Sequence, residues 1–186
     1  MNRAIAIIAL LGLPLVASAD ELKQQRAESM QVVKEFMGSL KGELQSAMKS
    51  GGPTNAIEVC NKVAPAIAAE QSRKHGWEVG RTSLKTRNPA NAPDAWEREV
   101  LNNFEQRKAE GENPKKMFYE EVVEEDGKQY YRFMKAIPTG KVCLKCHGEN
   151  IAEPVKAKLD KLYPEDQARG FNLGDIRGAF TIKQPM

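Results

Sequence analysis

The chain reads as an α+β protein, with helices first and a central antiparallel sheet after them. Three observations predict this. Glu21 to Lys49 carries apolar residues at helical spacing (Leu22, Met30, Val33, Phe36, Leu40 and Leu44 among them), with Lys, Glu and Gln on the other face. Tyr119 to Glu124 and Gln129 to Met134 are β-rich runs flanking Asp126-Gly127, a hairpin turn pair. Ala179-Phe180-Thr181-Ile182-Lys183 then reads as a final strand. Helices followed by strands is the order of an α+β layout.

Ahead of these elements lies Met1-Asn2-Arg3, a short basic start, then an almost wholly apolar run from Ala4 to Val16, then Ala17-Ser18-Ala19, a small-x-small site. Residues 1–19 are therefore expected to be a cleaved signal peptide, with the mature chain starting at Asp20 and exported to the periplasm. The apolar run is nearer the ~7–15 residues of a signal peptide than the ~20 of a spanning helix. Of 186 residues, 167 remain, suited to one domain (20–186) with a real core. Charges of both signs are mixed, and the formal net charge of +3 falls to +2 without Arg3. That leaves no basic footprint for nucleic acid. No second long apolar segment follows, so the mature protein is expected to stay off the membrane.

The first helix is expected to end at Gly51-Gly52-Pro53. A second begins with Asn55 as N-cap and Glu58 as its capping-box partner, and puts Ile57, Cys60, Ala64 and Ile67 on one face. Pro65 inside it predicts a kink or a split. Gly76 is the expected stop. Trp77 to Leu84 alternates loosely, as a short strand would, and Arg87 to Asp94 is a turn-rich loop. Asp94 and Glu97 form a capping box for a third helix, whose core face is Trp96, Val100, Leu101 and Phe104 and which Gly111 closes. After the hairpin, Ile151 to Leu162 is a short helix with Pro154 in its first turn, and a loop punctuated by Gly170, Gly174 and Gly178 leads to the last strand.

The chemistry is concentrated in Cys143-Leu144-Lys145-Cys146-His147, which has the form C-x-x-C-H. This is the attachment signature of a c-type haem. Two thiols add across the porphyrin vinyls as thioethers, and the adjacent histidine is held where it can offer an imidazole nitrogen to the iron. A zinc site wants four N/S ligands, whereas the chain has three cysteines and two histidines. One motif predicts one covalent haem c. Export and covalent attachment support each other, because attachment occurs on the far side of the bacterial membrane.

Cys60 is then left without an intramolecular disulfide partner. Three readings stand: a buried small hydrophobe, an intermolecular disulfide, or a thiolate ligand to iron. His75, the methionines and an open sixth position are the other candidates for the second axial site. Arg81, Lys85 and Arg87 are candidates to neutralise haem propionates, against a default of solvated surface charge.

The chain resembles the exported, PAS-like c-type haem protein family, a haem domain that in a cyanobacterial member holds iron between a histidine and a cysteine. The resemblance rests on Ala56 to Pro65, Arg81 to Glu97, Cys143 to Gly148 and Gly170 to Phe180, and spans nearly the whole mature chain. It implies a PAS-like antiparallel sheet flanked by helices, with a long N-terminal helix. It also implies His147 and Cys60 as axial ligands. The expectation is a haem-binding module and not an enzyme: a redox or small-ligand (CO, NO) sensor, with a periplasmic electron-transfer cytochrome c as the alternative. Either needs a separate signalling or redox partner. A peroxidase would need acid–base groups positioned over the iron, and no distal His–Arg pair is evident.

Overall fold

Helical spacing in residues 21–49 and again in 57–68 becomes two arms of one reversed helix. The computed structural model describes residues 18–186. The apolar run Ala4 to Val16, and with it nearly all of the expected signal peptide, lies outside the described residues. Helix α1 is Ala19–His75, and Gly52 alone breaks it, at φ 70° and ψ −163°. Glycine adopts that backbone without a Cβ penalty. Glu35 and Lys74 are 39 residues apart, which in a straight helix would be about 58 Å, yet their side chains meet at 2.6 Å. The chain therefore turns back on itself at Gly52, and α1 is a helical hairpin.

Asn55 is not the N-cap expected of the second arm. Pro53 opens that arm, where its missing N–H costs nothing. Asn55 Nδ2 donates instead to Ala47 O at 3.3 Å and Ser50 Oγ at 3.1 Å, closing the end of the first arm. Glu58, expected to complete a capping box, pairs with Lys158. The second arm runs through Pro65 with helical backbone. Buried Ile57 and Ala64 hold the turns before it, so the expected split does not occur. Gly76 ends the arm in the left-handed region, at φ 69°, as expected.

The remaining elements are β1 (Glu78–Thr82), α2 (Ala95–Ala109), β2 (Phe118–Glu125), β3 (Lys128–Pro138), α3 (Leu144–His147), α4 (Glu153–Leu162) and β4 (Ile176–Pro185), with a 3₁₀ turn at Pro89–Asn91. The four strands form one sheet in the order β1-β4-β3-β2, every pair antiparallel. Asp126 and Gly127 turn the β2–β3 hairpin, both at positive φ, which matches the twist of the strands. Asp94 and Glu97 form the expected reciprocal cap on α2.

The period of two along each strand sorts the core onto two faces. Tyr131, Phe133, Phe180 and Ile182 meet Val32, Val33 and Phe36 of α1. Met134, Ala136 and Ala179 meet Val100, Leu101 and Phe104 of α2. The architecture is thus α+β and PAS-like, with the α1 hairpin on one face of the sheet and α2 on the other. A third apolar cluster joins Ile57 of α1 to Val155, Leu159 and Tyr163 of α4 and its end. Among the described residues, no helix is long and apolar enough to cross a membrane.

Strand β4 begins beside a close approach of backbone. Gly178 has φ 154°, and a Cβ there would lie 2.2 Å from Thr82 O. Gly178→Ala is expected to lower stability by roughly 2–3 kcal/mol, since alanine must leave this conformation and push β1 away. Urea unfolding measures this, and a midpoint equal to wild type would contradict the packing described.

Candidate cofactor site

The C-x-x-C-H residues form the single helical turn α3, reached from β3 through Pro138-Thr139-Gly140. Thr139 N donates to Asp175 O at 2.7 Å and Gly174 N to Thr139 O at 2.9 Å, tying this approach to the loop before β4. Gly140 N donates to Cys143 Sγ at 3.3 Å, and Cys146 and His147 N both donate to Cys143 O. One helical turn separates Cys143 from Cys146, so the two thiols share a face, with His147 next in line. None of the three cysteines is in a disulfide.

His147 is held by its far nitrogen. Nδ1 lies 2.8 Å from Ala168 O. A carbonyl accepts only from N–H, so Nδ1 carries the proton and Nε2 keeps its lone pair. The Phe171 ring meets the imidazole edge-on at 6.2 Å. Burial pushes the imidazole well below its ordinary pKa, and the Arg177 and Arg87 charges push the same way. The result is a neutral, oriented imidazole whose Nε2 keeps its lone pair, the form in which histidine binds metal, with Arg177 Nε 3.4 Å from that nitrogen.

Cys60 arrives from the second arm of α1. It lies one turn after Ile57, whose cluster with Val155, Leu159 and Tyr163 also packs Cys146. Cys60 therefore lies near the motif, half-buried and close enough to Cys143 and Cys146 for their charges to interact. Burial pushes its thiol above the ordinary value, partly offset by Arg81, Arg87 and Arg177, with Cys143 adding to the rise. Among the described residues, nothing donates a hydrogen bond to its sulfur.

His75 and four of the methionines lie away from the motif. His75 lies on the same arm as Cys60, fifteen residues on, or about 22 Å along a helix, where it stacks on Trp77 at 5.1 Å. Met117 and Met134 are fully buried on the α2 side of the sheet, and Met37 and Met186 are exposed.

The three basic candidates separate. Lys85 is exposed, with Nζ 5.4 Å from the Phe171 ring centroid. Arg87 is buried and committed: Nε donates to Asp166 Oδ1 at 3.0 Å, and Nη2 to Cys146 O at 2.6 Å and Ala168 O at 3.1 Å. One guanidinium thus clamps the C-x-x-C-H turn to the segment that orients His147. Arg81 is deeply set, and burial lowers its pKa. Arg177, which the sequence reading did not single out, puts Nε 3.2 Å from His147 Nδ1 and 3.4 Å from Nε2. Asp166, Ala168 and Phe171 were missed as well. Arg177 and Phe171 lie inside the Gly170–Phe180 stretch that carries part of the resemblance, which was the available signal. Asp166 and Ala168 have none, because they act through backbone position and a partner 79 residues away in sequence.

The donor set fits a covalent haem: two thiols a helical turn apart, a neutral imidazole whose Nε2 keeps its lone pair, and a third thiol close enough for its charge to act on theirs. Fold and site together define an α+β, PAS-like domain with a C-x-x-C-H turn packed beside the second arm of α1. The chain belongs to the Tll0287-like family, whose model matches residues 17–185. Among solved structures, the cyanobacterial heme-protein Tll0287 is similar at 26% identity and a TM-score of 0.62, over 91% of this chain and 98% of that chain. A search of curated proteins gave no match.

The Arg87 clamp has a measurable consequence. Burial raises the Asp166 carboxyl, but hydrogen bonds from Arg87 and Arg169 and the Arg87 charge outweigh this, and its pKa is lowered overall. A depressed carboxylate contributes stability that is present above its unfolded pKa, about 3.9, and lost as pH falls through the lower folded value. Asp166→Asn, which leaves Arg87 buried without its counter-charge, is expected to cost roughly 3–5 kcal/mol at neutral pH. It should also remove part of the stability loss below about pH 4. Chemical unfolding across pH measures both, and parallel stability curves for variant and wild type would contradict the pairing.

Proposed function

We propose that this chain is a periplasmic mono-haem c-type protein. Cys143 and Cys146 would hold the haem covalently, with His147 and Cys60 as axial ligands. The observation that carries the reading is the arrival of Cys60 opposite a C-x-x-C-H turn whose histidine is already neutral and oriented. A haem bound there would supply a redox-active iron. The membership of a family whose solved representative is a heme-protein supports the same reading.

The two ligands are not held alike, and this favours a sensor. His147 is pinned by Ala168 O, so its ring stays in place. Cys60 accepts no hydrogen bond at its sulfur among the described residues. Thiolate also suits ferric iron and lowers the reduction potential. Cys60 is therefore the labile ligand, and its protonation and release would open a coordination position to a small ligand such as CO or NO. Among the described residues, no carboxylate or second histidine is hydrogen-bonded to His147, and we assign a binding role, with a separate protein receiving the signal. An electron-transfer cytochrome is the second reading. It would keep both ligands in both oxidation states.

Absorption and EPR spectra of the ferric protein are expected to show a low-spin thiolate signature that disappears in Cys60→Ala. Dithionite reduction followed by CO should produce a CO complex in wild type. Spectra of Cys60→Ala that match wild type would reject Cys60 as a ligand. Ligands that persist on reduction, with no CO complex, would favour the electron carrier.

A further inference from the structure

Three arginines stand around Cys60, and only one is in an ion pair with a carboxylate among the described residues. Arg87 is paired with Asp166 and bonded to two carbonyls. Arg177 has only neutral acceptors: Nη1 donates to Ser83 Oγ at 3.0 Å and Lys85 O at 3.3 Å, and Nε faces the His147 ring. Its guanidinium lies 5.3 Å from the Phe171 ring centroid. Burial, with Arg87 and Arg81 nearby, pulls its pKa down to about 10. Arg81 makes no hydrogen bond through its guanidinium among the described residues and rests over the Phe36 ring at 5.6 Å. Both keep part of their surface open. Neither has a carboxylate within ion-pair distance among the described residues.

A deeply set guanidinium without a counter-charge is costly. Arginine persists in such places where a carboxylate or phosphate completes it, because the planar fork takes both oxygens of the anion. Two such forks stand beside the C-x-x-C-H turn: Arg177 meets His147, and Arg81 lies close enough to Cys60 and Arg177 for its charge to act on both. A haem has two propionates.

The geometry points to Arg81 and Arg177 as the pair that binds the haem propionates, with Arg87 excluded from that role by its commitment to Asp166. This rests on the haem reading above and adds what that reading does not contain. The set of residues contacting the group extends beyond the C-x-x-C-H turn and Cys60 to the start of β4 and the end of β1. It follows that Arg177 is both a propionate ligand and a neighbour of His147, so it positions the proximal ring and the far edge of the group together.

The test uses the holoprotein and two readouts that a merely structural arginine would not move together. Resonance Raman of wild type, Arg81→Met and Arg177→Met reads the propionate bending band, which responds to the propionate's hydrogen-bond donor. Redox titration reads the reduction potential. The expected result is a shifted band in each variant, and a lower potential, since removing a cation near the iron favours the ferric state. Arg177→Lys should shift the band less than Arg177→Met, because a lysine restores the charge without the fork. Lys85→Met should leave the band unchanged. If band and potential stay at wild-type values in both methionine variants at equal haem content, the assignment is overturned. Where a methionine variant does not fold, the lysine variant at that position is read against wild type, and an unmoved band overturns the assignment there too. A wild-type chain that carries no haem by pyridine haemochrome assay overturns the haem reading itself, and with it this one. That outcome is distinct from an unmoved band in loaded protein.

Discussion

The Arg87 clamp is the interaction on which the rest of the site depends. Its guanidinium reaches three acceptors from different parts of the chain: the Asp166 carboxylate, Cys146 O in the C-x-x-C-H turn and Ala168 O in the segment behind it. Ala168 O is the same oxygen that fixes the His147 tautomer. A single buried cation therefore ties the C-x-x-C-H turn to the group that orients His147. Asp166 is itself held by Arg169 and by the Ala168 N–H, so the clamp is anchored at both ends. Such a network is costly to break, because each partner removed leaves a charge or a donor unanswered away from water.

The second constraint is the reversal at Gly52. Without it the two arms of α1 would extend as one rod, and Cys60 would lie far from the sheet. With it, both arms pack on the same core cluster, and Cys60 is brought beside α3 and α4. Local backbone freedom at one glycine thus determines which residues, more than eighty positions apart in sequence, can share a ligand site. The Lys158–Glu58 pair and the cluster around Leu159 hold α4 to the second arm just before Cys60.

Much of the fold was legible because its signals are local. The hairpin turn at Asp126-Gly127, the Asp94–Glu97 capping box, the helix stop at Gly76 and Pro154 in the first turn of α4 are each written in a few adjacent residues. Asn55 was misread because a turn between packed arms offered it carbonyls that compete with a capping role. The effect of Pro65 was misread because packing on both sides outweighs one missing hydrogen bond. In the site, the motif residues announce themselves by spacing, whereas Asp166, Ala168 and Arg177 matter only through where the chain brings them. Arg87 was singled out for its charge, but its role is structural, and no one-dimensional pattern distinguishes it from Arg81.

The central claim is that iron sits between His147 and Cys60. Iron-edge X-ray absorption of the ferric protein tests it most directly, because thioether sulfurs on the porphyrin edge are not bound to iron. The account predicts a first shell of five nitrogens and one sulfur. A shell of nitrogen or oxygen alone would contradict it and return Cys60 to the apolar cluster that it borders.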